Sequence, residues 1–216
     1  MTNWIDITQP LSADLAHWPG DRAFSYSLTY TKEQTGSVNI GEIKMSVHNG
    51  THADAPFHYD SNGKTIDELP PDLYIGKALV ADVSMYKTIG ENSFENEDLT
   101  DVKRLLLKTS LPNRPNLFPK ALPVIEPNLA DYLSSQGVQL FGIDSPSVDA
   151  IDSKELSVHH SLYRNEIFIL ENLMLDHVEA GWYEMIALPL KITGSDGSPV
   201  RAVLSPIQRS VSYEEG

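Results

Sequence analysis

Three histidines and one aspartate lie close together in the stretch His48-Asn-Gly-Thr-His-Ala-Asp-Ala-Pro-Phe-His. Imidazole nitrogen and carboxylate oxygen are the ligands left for zinc when no thiolate is available, and the chain contains no cysteine. The chemistry that these residue types could perform is therefore metal binding, with manganese or iron as alternatives to zinc. A lone histidine is more often a surface or hydrogen-bonded core residue, but the clustering favours the ligand interpretation.

The backbone must bend if these four groups are to meet. A helix cannot bring them together, because at about 100° per residue their side chains point to different sides. A straight strand would put them on one face, yet it would spread them over roughly 33 Å, too far for one ion. Gly50 and Pro56 stand where a folded loop would turn. We therefore expect a loop that leaves a strand over 43–47 and turns the ligating groups toward one centre.

A second set of candidate ligands lies near the end of the chain. His159 and His160 fall on a predicted helix, and Glu171 follows a predicted strand over 167–170. A glutamate at the end of a buried strand is more often a solvated strand end than a ligand. Because the first cluster already indicates a metal site, a ligand role for Glu171 becomes as reasonable as a solvated strand end.

The elements that must position these residues alternate between strands and helices. Patterning predicts strands over 23–30, 43–47, 78–83, 105–107, 139–143 and 167–170. A helix is expected over 127–136, with Pro127 in its first turn and Gly137 at its end, and another from a cap at Ser153 to Arg164. A closing hairpin is expected from 182–192 and 200–204 around the turn 194–199. The predicted fold is a single α/β domain over 1–216, with a mixed β-sheet and flanking helices.

Composition narrows the class of partner. The chain has 16 basic and 30 acidic residues, and its net charge of -14 would repel nucleic acid and anionic membranes. Its hydrophobic content of 41% is enough for a sizeable core. No stretch approaches the roughly 18 apolar residues of a membrane span. We expect a cytoplasmic protein that acts on a small molecule, with neither nucleic acid nor membrane as a partner.

The histidine-rich stretch resembles the H-x-G-T-H-x-D-x-P-x-H signature of the metal-dependent cyclase family, without departure. The similarity continues in Trp18-Pro-Gly-Asp, in Asp144-Ser-Pro-Ser-Val-Asp and in Gly197-Ser-Pro-Val-Arg. It implies the family fold, a mixed β-sheet domain with flanking helices in a swivelling β/β/α-like arrangement. It also implies assembly as a homodimer.

Carried over position by position, the resemblance implies two divalent metal ions per subunit, with zinc expected. One ion would be bound by His48, His52 and Asp54. Asp54 would bridge to a second ion held by His159 and Glu171. In family members that act on formamides the helix histidine lies twelve positions before the glutamate, a spacing that selects His159.

Two further roles follow from the same resemblance. His58 takes the position of the proton-transfer residue, although a histidine there could also serve as a further metal ligand. Trp18 takes the position of the aromatic that lines the substrate pocket. It could equally be part of the core, but the Pro-Gly-Asp that follows indicates a loop, where an aromatic is more often available to a ligand.

The implied activity is hydrolysis of N-formyl-L-kynurenine to L-kynurenine and formate, a step of tryptophan breakdown by the kynurenine route. One alternative is a hydrolase of the same family that acts on another amide, on a cyclic imide or on a lactam such as isatin. Another is a metal-binding protein without catalysis, whose site would be closed by four protein ligands. A pure interaction domain is the least favoured, because it would have no need for so many convergent polar groups.

Overall fold

The structure is a computed structural model that describes residues 4–207, so the predicted domain over 1–216 includes residues 1–3 and 208–216 that lie outside the description. The strands of the described part are Ile5–Asp6 (β1), Ser25–Tyr30 (β2), Ile40–Lys44 (β3), His52–Asp54 (β4), Ile75–Asp82 (β5), Thr88–Ile89 (β6), Arg104–Lys108 (β7), Val124–Ile125 (β8), Leu140–Ile143 (β9), Phe168–Glu171 (β10), Gly181–Ile186 (β11), Gly197–Pro199 (β12) and Val203–Pro206 (β13). Its α-helices are Lys32–Thr35 (α1), Leu129–Ser135 (α2) and Ser157–Arg164 (α3).

Nine strands form one mixed sheet in the order β1-β13-β11-β5-β7-β9-β10-β4-β12. Its centre, from β5 to β10, is parallel, and the pairs on both sides of that centre are antiparallel. Two short pairs stand apart from it, β2 with β3 and β6 with β8. The predicted α/β class, with a mixed sheet and flanking helices, is confirmed.

Both faces of the central sheet are buried, which explains the nearly continuous apolar runs of its strands. Along β5, Ala78 and Val80 belong to one core cluster while Leu79 and Ala81 belong to the other. This alternation is the period of two that a strand imposes on its side chains. The second cluster also contains the apolar residues of α2 and α3, so these helices cover that face. The candidate metal ligands lie on this same face.

The prediction of a closing hairpin is wrong about the segment that connects its two strands. Strands β11 and β13 are antiparallel neighbours, with Met185 opposite Leu204, as a hairpin would require. However, the predicted turn over 194–199 contains β12, which pairs with β4 on the far edge of the sheet. The chain therefore crosses the molecule between the two strands, because three residues of this segment satisfy their backbone groups on the strand that carries the signature.

Helix α3 begins later than the sequence predicts. The expected cap, Ser153, accepts only the backbone N–H of Leu156 at 3.2 Å, and the helix starts at Ser157. The first backbone donors of the helix are bound instead by Asp149, which lies further back in the chain. No helix within residues 4–207 has the length and apolar character needed to cross a bilayer.

Candidate metal centre

Strand pairing brings three of the predicted ligands onto one face of the sheet. Strands β4 and β10 are antiparallel, with His52 opposite Glu171 and Asp54 opposite Ile169. Since alternate residues of a strand share a face, the side chains of His52, Asp54 and Glu171 all point to the same side. All three are buried, with 1–3% of their surface exposed. The bent loop predicted for the signature is therefore partly a short strand, preceded by a turn and followed by the 3₁₀ turn Pro56–His58.

The turn before β4 is fixed by hydrogen bonds to the end of β10. Gly50 has a φ of +68°, a conformation that favours glycine, and its carbonyl accepts from the Nδ2 of Asn172 at 3.1 Å. The hydroxyl of Thr51 donates to the carbonyl of Asn172 at 2.6 Å. These contacts join the glycine and threonine of the signature to the residue that follows Glu171. The two halves of the site are thereby held in one register.

Asp54 lies at the centre of the cluster, with its two oxygens directed at different histidines. Its Oδ1 lies 2.9 Å from the Nδ1 of His48 and 3.3 Å from the Nε2 of His52. Its Oδ2 lies 3.6 Å from the Nε2 of His159. Glu171 is placed in the same way, because Oε2 lies 3.4 Å from His52 and Oε1 lies 3.7 Å from His159. Each carboxylate therefore has one oxygen near His52 and the other near His159.

This donor set fits a divalent metal. Tetrahedral ligands at about 2.0 to 2.2 Å from zinc are about 3.3 to 3.6 Å from one another, close to several of the separations in the cluster. The Oδ2 of Asp54 is buried and has no hydrogen-bond partner among the described residues. A buried carboxylate oxygen without a partner is costly unless a cation satisfies it. Two overlapping sets of three residues could each hold an ion, because one ligand atom from each member lies within 4.8 Å of those of the other two. The first set is His52, Asp54 and Glu171, and the second is His48, Asp54 and His58.

Each buried histidine of the cluster has a partner on its outer nitrogen. His52 donates from Nδ1 to the carbonyl of Gly50 at 2.8 Å, and His159 has its Nδ1 2.6 Å from an oxygen of Asp149. The Nε2 of His48 lies 3.0 Å from an oxygen of Asp196. Such partners fix the tautomer, so that the unprotonated nitrogen faces the centre of the cluster.

Sequence reasoning assigned no role to either of the two outer carboxylates. Asp149 precedes its histidine by ten residues, and Asp196 lies 148 residues after its own. Gly197, next to Asp196, gives His48 the space that it occupies, because a Cβ there would lie 2.9 Å from the ring of His48. A helix-capping pattern could have indicated Asp149, whereas nothing in the local sequence indicates Asp196.

The carboxylates of the cluster favour the presence of positive charge among them. Burial alone would lower the pKa of each histidine, but neighbouring carboxylates outweigh it and raise the pKa to about 9 for His48 and about 10 for His52 and His159. Burial would raise the pKa of Asp54, but the three histidines hold it well below its ordinary value. Burial and the charge of Asp54 raise the pKa of Glu171. Metal ions and protons would therefore compete for the same buried sites.

His58 differs from the other histidines of the cluster. Its side chain is 34% exposed, and its Nδ1 lies 3.5 Å from the Oδ2 of Asp196. The centroid of its ring lies 4.0 Å from that of His48, with the two planes tilted by 36°, and burial lowers its pKa. A histidine that is neutral near pH 7 can accept a proton or bind a metal, so the geometry is compatible with both of the roles that the sequence left open.

A cavity of about 330 Å³ opens in front of the cluster. Its walls include His48, His58 and the half-buried Trp18, whose ring meets that of Phe118 edge to face at 5.4 Å. Trp18 is held in a turn in which its carbonyl accepts from the backbone N–H of Asp21 at 3.0 Å. The loop placement predicted for Trp18 is what the structure has.

Every residue predicted for the site lies around this cavity or in the cluster beneath it. The rings of His159 and His160 lie 5.3 and 5.8 Å from that of Tyr59, but in the described structure only His159 also approaches the two carboxylates. His52 approaches both Asp54 and Glu171, so it stands between the two ligand sets that the sequence separated. The division of ligands between two ions is therefore less sharp than the sequence implies.

Comparison with known proteins adds relatives that match almost the whole chain. Residues 5–150 match the model of the Cyclase family, described as "Putative cyclase". Over 206 residues the chain is 51% identical to the kynurenine formamidase of Bacillus cereus (strain ZK / E33L) and 52% identical to that of Bacillus mycoides (strain KBAB4). In both alignments 95% of this chain and 99% of the relative are covered.

Solved structures share the fold at lower sequence identity. A potential metal-dependent hydrolase with cyclase activity superposes with a TM-score of 0.82 at 24% identity, covering 97% of this chain and 100% of the other. Isatin hydrolase A from Labrenzia aggregata, bound to benzyl benzoate, superposes with a TM-score of 0.80 at 23% identity, covering 96% and 94%. These likenesses confirm the arrangement of the sheet and helices.

Proposed function

This chain belongs to the cyclase family, and from that premise we propose that it hydrolyses N-formyl-L-kynurenine to L-kynurenine and formate. The observation that carries the proposal is the identity of about half the residues, over nearly all of both chains, with relatives named kynurenine formamidase. The reaction is hydrolysis of a linear amide, in which water adds to the formyl carbon and the bond to the aryl nitrogen breaks.

We propose two divalent ions as cofactors, with zinc as the first choice. The first ion would be held by His48, His52 and Asp54, and Asp54 would bridge to a second held by His159 and Glu171. The unpartnered Oδ2 of Asp54 and the raised histidine pKa values support this assignment. Bound ions would supply a Lewis acid for the formyl oxygen and would lower the pKa of a bound water toward neutrality.

His58 is the proton carrier in this proposal. Its lowered pKa leaves the ring neutral near pH 7, so that it can take a proton from the attacking water. It returns that proton to the aryl nitrogen as the carbon–nitrogen bond breaks, which lets the amine leave in neutral form. Asp196, 3.5 Å from Nδ1, orients the ring and stabilises its protonated form during the transfer.

The apolar wall of the cavity receives the aryl ring. Trp18 and Phe118 stand edge to face on the side of the cavity formed by the loops around them. An aromatic substrate packed there would direct its formamide toward the carboxylate cluster and would exclude bulk water from it. Trp18 is thus a substrate-binding residue in this proposal.

Parallel assays with two substrates test the proposed reaction. Metal-replete protein is expected to hydrolyse N-formyl-L-kynurenine with a kcat/KM at least about tenfold above that for isatin. Absence of formamidase activity in protein of verified metal content would overturn the proposal. Preferred turnover of isatin would support the second candidate, which the structural likeness to isatin hydrolase A favours.

We also propose a homodimer, because the hairpin formed by β2 and β3 lacks a cover in the described chain. Every residue of both strands is exposed, including Tyr26, Leu28 and Ile43 at 61%, 44% and 57%. An isolated two-stranded sheet is marginally stable in water, and a cluster of exposed apolar side chains marks an interface. A second copy of this chain would bury that surface.

Light scattering after size exclusion tests the dimer. The expected mass is twice the 24.0 kDa of one chain. Ile43→Asp is expected to shift the population toward monomer, while Met85→Asp, at a side chain that is 81% exposed outside the hairpin, leaves it unchanged. A wild-type protein that remains monomeric at micromolar concentration would contradict the assignment.

A further inference from the structure

The cavity in front of the metal cluster is lined by a cation for which the proposed reaction has no role. Arg114 lines the cavity in the loop between β7 and β8. Within residues 4–207 it is the only lysine or arginine in the lining, which also contains the acidic residues Asp21, Asp144 and Glu171. In a protein with a net charge of -14, this guanidinium gives the cavity a positive charge that is separate from the proposed metal ions and that attracts a small anion.

The guanidinium of Arg114 is available for a ligand. It makes no hydrogen bond and no ion pair with any residue that the structure describes, whereas Arg104 and Arg201 are both bound to protein groups. Arg114 is exposed to solvent as well as lining the cavity, and its five-donor planar group can bind a carboxylate through two parallel hydrogen bonds.

The backbone holds Arg114 in place from both sides. The preceding Asn113 forms a reciprocal pair with Asp176, accepting from its N–H at 3.0 Å and donating its own N–H at 2.9 Å. The carbonyl of the following Pro115 accepts from the N–H of Ala16 at 2.7 Å, which ties this loop to the one that carries Trp18. The cation therefore projects from an ordered part of the wall, beside the aromatic pair.

We propose that Arg114 binds the α-carboxylate of the substrate and so makes the enzyme selective for an amino-acid formamide. This inference rests on the proposed function, whose substrate carries its formamide and its amino-acid group on neighbouring positions of one aromatic ring. With the formamide at the carboxylate cluster and the ring against Trp18 and Phe118, the amino-acid group extends toward the cavity mouth. Arg114 is the cation that meets it there.

A pair of substrates separates this role from a structural one. N-(2-acetylphenyl)formamide keeps the formamide and the ring but lacks the amino-acid group. For N-formyl-L-kynurenine, Arg114→Ala is expected to lower kcat/KM about tenfold, mainly through KM, because the carboxylate is bound equally in the ground and transition states. For the truncated formamide the loss is expected to stay below about threefold. Arg114→Lys should fall between, since lysine keeps the charge but lacks the planar fork.

Lys120→Ala is the matched control, because Lys120 is an exposed cation of the same loop that is absent from the cavity lining, and it should change neither rate. Inhibition by L-kynurenine should weaken about tenfold in Arg114→Ala, whereas inhibition by 2-aminoacetophenone should not. An equal loss on both formamides, or no loss on either, would overturn the inference while leaving the formamidase assignment intact. A wild-type protein that hydrolyses neither formamide would overturn the proposed function, and this inference with it.

Discussion

Asp54 lies where the proposed bridging ligand would have to stand. Each of its oxygens faces a different histidine, and Oδ2 has no other partner among the described residues. The carboxylate is buried, with 1% of its surface exposed, and the histidines around it have raised pKa values. At the scale of single residues, the cluster is a buried negative site that a cation completes.

His58 separates the catalytic interpretation from the structural one. In the catalytic account, His58→Ala retains its metal content and its fold, while kcat falls about 100-fold or more. The reason is that the partly exposed ring lies at the edge of the cluster, and the deletion removes the proton carrier but none of the ligands. Metal analysis and steady-state kinetics on the same preparation measure both quantities.

His160→Ala is the control for this variant, since His160 lies near Tyr59 and makes no ion pair with Asp54 or Glu171 in the described structure. Loss of metal from His58→Ala, with a matching loss of stability, would instead assign His58 as a ligand. That result would favour the closed, non-catalytic site.

Sequence spacing predicts three of the candidate ligands and the family resemblance predicts the other two, but neither predicts the carboxylates that orient the histidines. The signature places His48, His52 and Asp54 within seven positions, so local geometry alone indicates a shared centre. Asp149 and Asp196 meet their histidines only because a helix and a distant strand pack against the site. A helix-capping pattern could have indicated Asp149, but Asp196 has no local pattern that could reveal its contact.

Helix α3 and the loop before it act as one unit at the scale of elements. Asp149 accepts the backbone N–H groups of Val158 and His159 at 3.1 and 3.0 Å, so it caps the helix. The same carboxylate binds the Nδ1 of His159. Burial would raise the pKa of Asp149, but these hydrogen bonds outweigh it and lower the pKa. One side chain therefore sets both the start of the helix and the orientation of its histidine.

Asp149→Asn is expected to weaken metal binding about 10-fold to 100-fold while keeping one of the two backbone contacts of the cap, because Val158 and His159 donate to different oxygens of Asp149 and an amide keeps only one of them. The amide can still accept from the backbone, but it no longer offers a charged acceptor to the outer nitrogen of His159. Competition with a chromogenic chelator measures the affinity, and thermal unfolding checks the fold. Asp152→Asn, an exposed position of the same loop, removes the same charge and should have no effect. Unchanged affinity in Asp149→Asn would show that His159 is oriented without it.

A second buried carboxylate ties two strand ends together and makes stability depend on pH. Asp144, after β9, accepts from the N–H of Thr109 at 2.8 Å and from its hydroxyl at 2.7 Å. Burial raises its pKa to about 7 despite these bonds. The folded state therefore holds a proton that the unfolded state has already released, so this residue lowers stability as pH rises from about 4 to about 7.

Asp144→Asn should remove that dependence. Through this residue, wild type is expected to lose about 2 to 3 kcal/mol of unfolding free energy between pH 5 and pH 8, because each unit of pKa difference is worth about 1.4 kcal/mol. The variant lacks this loss, so its stability relative to wild type should rise by the same amount over that range. Urea unfolding of metal-free protein at the two pH values measures the change without a contribution from metal binding. A variant whose stability changes in parallel with that of wild type would contradict the raised pKa.

Element boundaries show where local sequence stops being informative. The strands of the parallel centre were predicted because they are continuous apolar runs, and Arg104–Lys108 and Leu140–Ile143 lie close to their predicted positions. The sequence of the closing segment predicts a hairpin because its central residues are typical of a turn. Only the tertiary structure shows that Gly197–Pro199 pairs with β4 instead. The crossing also delivers Asp196 to the site, a contact that no hairpin would make.

At the scale of the whole molecule, the sheet is the frame that converts distant sequence segments into one site. Strand β4 carries two candidate ligands, β10 carries a third, and α3 places a fourth above the same face. The loops that contain Trp18 and Arg114 line the cavity. The ligand cluster and the cavity therefore depend on the complete fold, which agrees with relatives that match nearly the whole chain.

Removing and restoring the metal tests the central claim most directly. Purified protein is treated with chelator, dialysed and then reconstituted with zinc, and metal content and hydrolysis of N-formyl-L-kynurenine are measured on each sample. The account predicts that metal and activity are lost together, return together and reach their maximum near two ions per chain. Full formamidase activity in protein shown to be free of metal would contradict it.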